Sequence, residues 1–297
     1  MKTVQGPIVA IVVPFDEKLR VDRAALEDYL QFLSETGVKS IVVNGTTGEF
    51  PSLTARERLH VYECSRSIFP GPILLNVSSP CAAECRTYAE TLAGTDDGLL
   101  LLPPYYYAGA PAKGVTDFMR SVVSQTEQEV YLYNFPAHTG NGIDPEELKI
   151  FSGEFANIRG IKDSSGSLES AKSFAEACDG VADFKVFVGS DSLALKVLEA
   201  GLAGSVTGAA NPVPEFLIEM ARAFQEKRTG DASYFQERLN AWTALRKELD
   251  LPEIPVVKAA LGARVSGFPP FVRPPFSTIS NTAPVVDGTR RILEEKD

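Results

Sequence analysis

Two histidines and four cysteines in 297 residues leave little from which to build a metal centre or a disulfide framework. His60 and His138 are isolated, and among Cys64, Cys81, Cys85 and Cys178 only Cys81 and Cys85 are close, four residues apart. That spacing would place both on one helix face, but no further Cys or His stands nearby, so the cysteines are expected to be buried thiols and no metal or other cofactor is implied. Basic residues are also short: 29 Lys and Arg face 39 Asp and Glu, for a net charge of -10. Phosphate-rich partners need clustered cations, so neither a nucleic acid nor an anionic membrane is an expected partner, and a small molecule is. The apolar run in "MKTVQGPIVAIVVPFDE" is too short to span a bilayer, is not followed by a small-residue cleavage signal and ends at Pro14. It is expected to be the buried first strand of a cytoplasmic protein.

What the chain has in quantity is apolar residues, 44% of the total, arranged in a repeating order. Short Val/Ile/Leu runs alternate with longer stretches of helical periodicity. The runs are "IVAIVVPF" (8 to 15), "SIVVNG" (40 to 45), "PILLNVS" (72 to 78), "GLLLLPP" (98 to 104), "VYLYNFP" (130 to 136), "IRGIKD" (158 to 163), "KVFVGSD" (185 to 191) and "GSVTGAA" (204 to 210). A helical pattern follows each, as in "DRAALEDYLQFLSETG", where Ala25, Leu26, Tyr29, Leu30 and Leu33 share a face and Gly37 is a stop signal. Strands apolar on both faces belong to parallel sheets covered on each side, so the expected fold is a (β/α)8 TIM barrel over residues 1–227. A doubly wound open sheet is the runner-up. Residues 228–297, with helical stretches at 231 to 250 and 253 to 262 and a Pro-rich "GFPPFVRPPF", are expected to form a C-terminal helical extension packed on the barrel.

In such a barrel the chemistry sits where the strands end and the β-to-α loops converge. There the sequence places "NGTTGEF", "YNFPAHTG", "KDSSG" and "GSDS". By the alternation of a strand, Ile158, Gly160 and Lys162 share a face. If that face is the lumen, the amine projects among apolar walls, with Gly160 leaving room for a substrate. A neutral amine adds to a ketone to give a protonated imine, an electron sink for breaking the neighbouring carbon–carbon bond. Read alone, Lys162 is more simply a strand end leaving for water. In the glycine-flanked loop, Thr46 and Thr47 offer hydroxyls and inward N–H groups that suit a carboxylate, although an ordinary turn would look the same. Thr54 and Glu57 just after it form a capping box at a helix start. Tyr133 shares a face with Tyr131, either as core or as a phenol able to shuttle protons beside an imine.

Taken together, "GTTGEF", "PYYY", "YNFPAHTG", "GIKDSSG" and "GSD", in this order and at this spacing, resemble the pyruvate-dependent class I aldolases and lyases. That family includes dihydrodipicolinate synthase, N-acetylneuraminate lyase and 2-keto-3-deoxygluconate aldolase. The resemblance implies that Lys162 forms the Schiff base, Tyr133 is the general acid/base, and Thr46 and Thr47 hold the pyruvate carboxylate and relay protons. It implies that Gly189 and Val206 line the pyruvoyl pocket, and that Tyr106, or Tyr107 beside it, reaches into a neighbouring subunit's site in a homo-oligomer, a dimer of dimers. No cofactor is implied; pyruvate and an aldehyde are the implied partners.

One departure bears on substrate. Dihydrodipicolinate synthases generally carry arginine where this chain has His138, and histidine cannot make the bidentate fork that grips an aldehyde's carboxylate. His138 suits a hydroxyl or keto oxygen instead. The expected reaction is therefore cleavage of a 4-hydroxy-2-oxo acid, of the 2-keto-3-deoxy sugar acid type, or its reverse. A dihydrodipicolinate synthase-like condensation, a dehydratase using the same imine and a non-catalytic keto-acid-binding barrel are the alternatives. Were a carboxylate-bearing aldehyde the substrate after all, Arg264 and Arg273 would be the exposed candidates to meet it.

Overall fold

A computed structural model describes residues 4–295. Eight parallel strands close into a barrel in sequence order: β1 (Ile8–Ala10), β2 (Ser40–Val43), β3 (Ile73–Asn76), β4 (Gly98–Leu101), β5 (Val130–Asn134), β6 (Ile158–Asp163), β7 (Lys185–Val188) and β8 (Gly204–Thr207). The fold is the expected (β/α)8 barrel, with helices between successive strands and further helices after it at Thr229–Glu248, Glu253–Leu261 and Ala283–Glu294. The last of these lies in a stretch to which the sequence pattern assigned no helix. The strands are buried on both faces almost throughout, as continuous apolar runs require when helices cover one side and a packed lumen the other.

Strand pairing is shorter than the apolar runs. β1 stops at Ala10, yet Ile11, Val12, Val13 and Phe15 remain buried. Hydrophobicity marks what leaves water, and here it continues into the loop that follows the strand.

Chain contacts divide the molecule into two compact units, one of Pro72–Val206 with the N-terminal residues up to Gly6, the other of Pro7–Gly71 with the chain from Thr207 onward. In the second unit, helix Arg23–Glu35 starts at Asp22, whose side chain accepts from Ala25 N, and it buries Leu26, Tyr29, Leu30 and Leu33. Gly37, at φ 88°, follows it in the left-handed conformation that glycine adopts without strain. Helix Ala55–Ile68 opens with the expected capping box: Thr54 Oγ1 accepts from Glu57 N and Glu57 Oε2 accepts from Thr54 N at 2.9 Å. In the first unit, Cys81 corrects the sequence reading. It is the N-cap of helix Ala82–Glu90 and is exposed, while Cys85 within the helix is buried, as are Cys64 and Cys178. A residue just outside a helix is not on the face its spacing suggests.

Candidate active site

The first unit brings Lys162 and Tyr133 together by register. β5 and β6 pair Tyr133 with Lys162 and Asn134 with Asp163, so the amine and the phenol ring point to the same side. Lys162 is 6% exposed, and its Nζ lies 4.1 Å from the centroid of the Tyr133 ring. Among the described residues no carboxylate forms an ion pair with it. Tyr133 stacks in turn on Phe135 (centroids 5.7 Å apart, planes at 23°), and Phe135 on His138 (3.9 Å, 29°). The rings make a row from the amine to the exposed His138, which sits on the short helix Pro136–Thr139.

The strand ends are locked beside this row. Asn134 Nδ2 donates to Asp163 Oδ1 at 2.8 Å, and Asn134 Oδ1 accepts from Ile143 N at 3.0 Å. Asp163, fully buried, also accepts from Ser165 N and Ser165 Oγ. The carboxylate next in sequence to Lys162 is thus satisfied by neutral donors and needs no ion pair with the lysine.

β6 and β7 pair Lys162 with Phe187, and Gly189 N donates to Asp163 O at 2.8 Å. A Cβ on Gly189 would fall 2.1 Å from Ser164 Oγ and 3.3 Å from Lys162 Cε, so glycine is what lets the lysine stem and this hydroxyl pass. Ser164, not singled out in the sequence, thus packs against Gly189 as the stem of Lys162 does. Val206 is buried on β8; Phe187 pairs with Gly204, so alternation puts Val206 on the face of Phe187 and Lys162.

Gly160 does not serve as expected. A Cβ there would lie 2.2 Å from Lys185 O and 2.9 Å from the Tyr131 ring, so the space is filled by protein and not kept for substrate. The cause is an irregularity in β6: Val130 pairs with Ile158 but Tyr131 with Gly160, leaving Arg159 as an extra residue. Tyr131 packs at 6.1 Å on Phe187, and burial first, then the Glu129 carboxylate, pushes its phenol well above the ordinary tyrosine range. It is a core residue.

Tyr106 and Tyr107 are not core aromatics. They are 84% and 76% exposed and meet edge to face at 5.2 Å, with Tyr106 at φ 83°. Their loop is tied to the His138 segment: Asn141 Nδ2 donates to Pro104 O at 2.7 Å and Tyr107 O at 3.0 Å, and Gly109 N donates to Gly140 O.

The second unit holds the threonine loop. Gly48 N donates to Gly45 O and Glu49 N to Thr46 O, each at 3.0 Å, which closes a tight turn after β2. Thr47 is buried, with Thr46 half-buried beside it. A Cβ on Gly208, after β8, would lie 1.9 Å from Thr47 Oγ1. Gly208 is thus a member of this cluster that the sequence pattern did not reveal.

Arg264 and Arg273, expected to be exposed, are not. Arg264 donates to Pro212 O at 3.0 Å and to Glu215 at 2.5 Å. Arg273 donates to Leu19 O, Ser52 O and both oxygens of Glu57. Each is occupied within its own unit, because a mostly buried guanidinium requires several acceptors.

The model of the dihydrodipicolinate synthetase family matches residues 3–286. The chain belongs to that family. As a family member it is a lyase of the class I aldolase type. It is 31% identical to a 4-hydroxy-tetrahydrodipicolinate synthase of Methanosarcina barkeri over 97% of this chain and 98% of that one. Among solved structures, a dihydrodipicolinate synthase of Bacillus anthracis superposes with a TM-score of 0.88 at 25% identity, covering 100% of both chains. A 2-keto-3-deoxygluconate aldolase from Picrophilus torridus does so with 0.82 at 25% identity, over 92% of this chain and 97% of that one. Both substrate types thus occur among its relatives. No helix among the described residues is long and apolar enough to cross a membrane.

Proposed function

We propose that this enzyme cleaves a 4-hydroxy-2-oxo acid of the 2-keto-3-deoxy sugar acid type to pyruvate and an aldehyde, or runs the reverse condensation, through an imine on Lys162. The observation that carries the reading is Lys162 itself, buried, in no ion pair among the described residues and set 4.1 Å from the Tyr133 ring. Its nitrogen attacks the C2 ketone, the tetrahedral adduct loses water, and the protonated imine draws electrons from the C3–C4 bond. Tyr133 takes the proton of the C4 hydroxyl as that bond breaks and the aldehyde leaves. The enamine is then protonated at C3, and water releases pyruvate and restores the amine. Thr46 and Thr47 hold the carboxylate, Gly189 and Val206 leave room for the pyruvoyl group, and Tyr106 serves a neighbouring copy in an oligomer.

The far end of the substrate is assigned from His138. Its ring is fixed in plane by Phe135 and offers a single hydrogen bond in place of a guanidinium fork, which suits a hydroxylated tail. The synthase named among the relatives is the competing reading, since its aldehyde carries a carboxylate. Against it stands the occupation of Arg264 and Arg273 by Glu215 and Glu57.

Incubation with pyruvate and borohydride tests the chemistry: a reduced pyruvate adduct is expected on Lys162, and no adduct in folded protein, or equal labelling of Lys162→Ala, refutes the imine. Substrate choice is tested separately. kcat/KM for a 2-keto-3-deoxy sugar acid should exceed that for pyruvate with aspartate semialdehyde, and His138→Arg should move the ratio toward the latter. The opposite preference in the wild type overturns the sugar-acid assignment while leaving the imine intact.

A further inference from the structure

The turn that carries Thr46 and Thr47 ends on Glu49, a non-glycine residue at φ 56°, a conformation that persists only where the surroundings enforce it. What enforces it lies in the C-terminal part of the chain. Glu49 Oε1 is 2.5 Å from Lys258 Nζ, with both side chains 0% exposed, and Glu49 Oε2 accepts from Arg273 N at 2.9 Å. Lys258 also donates to Phe271 O at 2.9 Å. The Lys258 amine and the Arg273 guanidinium lie 4.1 and 4.5 Å from the centroid of the same Phe15 ring. Across from Thr47, Gly208 is followed by Ala209, whose carbonyl accepts from Trp242 Nε1 at 2.8 Å.

As a source of stability this arrangement is a poor choice. Taking an ammonium and a carboxylate fully out of water costs roughly what their attraction returns, and apolar residues of the same volume often do as well or better. Burial pulls the Lys258 amine down to about 8 despite the adjacent Glu49 carboxylate, which raises it. An apolar pair could not, however, fix the direction of the Glu49 backbone, whose N–H closes the turn on Thr46 O.

We propose that the Glu49–Lys258 pair is a positioning device: it sets the Thr46–Thr47 turn in the geometry that grips the keto acid's carboxylate, so that the C-terminal helices act on substrate affinity. The inference rests on the proposed role of those threonines.

The test compares Lys258→Met, Glu49→Gln/Lys258→Met and Thr47→Val with the wild type. Two quantities are read: the melting temperature, and the pyruvate concentration that gives half-maximal borohydride trapping on Lys162. Lys258→Met leaves Glu49 buried without a counter-charge and should lower the melting temperature. The double variant removes both charges, keeps an acceptor for Arg273 N and should recover it. In both, the half-saturating pyruvate should rise about tenfold, a modest share of what about 1 Å of misplacement can cost, while trapping at saturating pyruvate still reaches completion. If affinity returns together with stability in the double variant, the pair is only structural and the inference fails; a double variant that does not fold overturns it equally. Thr47→Val separates the two readings. A raised half-saturation there, with none in the double variant, sinks the positioning role alone, whereas an unchanged value in Thr47→Val sinks the carboxylate grip and the inference with it.

Discussion

Among the described residues two lysines are buried, Lys162 and Lys258, each with its amine 4.1 Å from the centroid of an aromatic ring, and they differ in their ionic partner. Lys258 is shut from water against Glu49, with a backbone carbonyl as its second acceptor. Lys162 is nearly as buried, against the ring of Tyr133 as Lys258 is against that of Phe15, but no carboxylate forms an ion pair with it among the described residues. Burial alone therefore does not mark a reactive amine. An ammonium committed to a carboxylate is a fastening; an amine in no ion pair among the described residues, with its neighbouring Asp163 satisfied by Asn134 and Ser165, is the one available to act as a nucleophile.

The sharpest way to break this contrast is to remove the amine from Lys162. Lys162→Met keeps the length of the side chain and should lower turnover by at least about 10⁴-fold, the scale of losing a covalent nucleophile. Its melting temperature should hold or rise, because a polar head with no ionic partner is replaced by an apolar one. Steady-state kinetics and a thermal melt on one sample decide it: retained turnover, or a stability loss like that expected of Lys258→Met, makes the two lysines alike and ends the distinction.

A smaller effect is expected from the aromatic side of the pair. Tyr133→Phe keeps the ring beneath the amine and its stack on Phe135, and takes away the oxygen alone. Turnover should fall about 10²-fold, as for a lost general acid/base, with the melting temperature little changed. Near-normal turnover would make Tyr133 a wall of the pocket, and the imine chemistry would then need another proton carrier.

Much of this was legible in the sequence because the barrel repeats a local pattern. Each strand announces itself by a run apolar on both faces, and the helix starts by residues such as Thr54 and Glu57, whose partners are three positions away. Alternation put Lys162 with Gly160 and Tyr133 with Tyr131, but the pairing of Lys162 with Tyr133 came from the register of β5 and β6. What escaped depends on geometry that alternation does not encode. The extra residue Arg159 shifts the pairing, so Gly160 makes room for Tyr131 and the backbone instead of a substrate. Gly208 matters only because Thr47 packs on it. Arg264 and Arg273 looked like surface charges because their acceptors, Glu215 for one and Leu19, Ser52 and Glu57 for the other, lie far away in the sequence.

The smallest effect expected concerns pH, and it separates the paired region from the unpaired one. Hydrogen bonds from Arg273, opposed by partial burial and helped by those from Thr54, pull Glu57 from the ordinary carboxylate range down to about 2. A carboxyl whose pKa is lower folded than unfolded binds more protons when unfolded, so it contributes stability fully above its unfolded value near 4.5 and loses it as the pH falls toward about 2. For a carboxylate hydrogen-bonded by a guanidinium the contribution is on the order of 1–3 kcal/mol. Glu57→Gln should thus melt below the wild type at pH 7, with a gap that stays constant down to about pH 5 and closes on further acidification. Lys162→Met, which disturbs no carboxylate, should leave the acid limb of the wild-type stability curve unchanged in shape. A gap that persists undiminished at pH 3 would mean that Glu57 acts through packing or capping rather than through its charge, and the ionic fastening around the threonine turn would then be the work of Glu49 and Lys258 and not of Glu57.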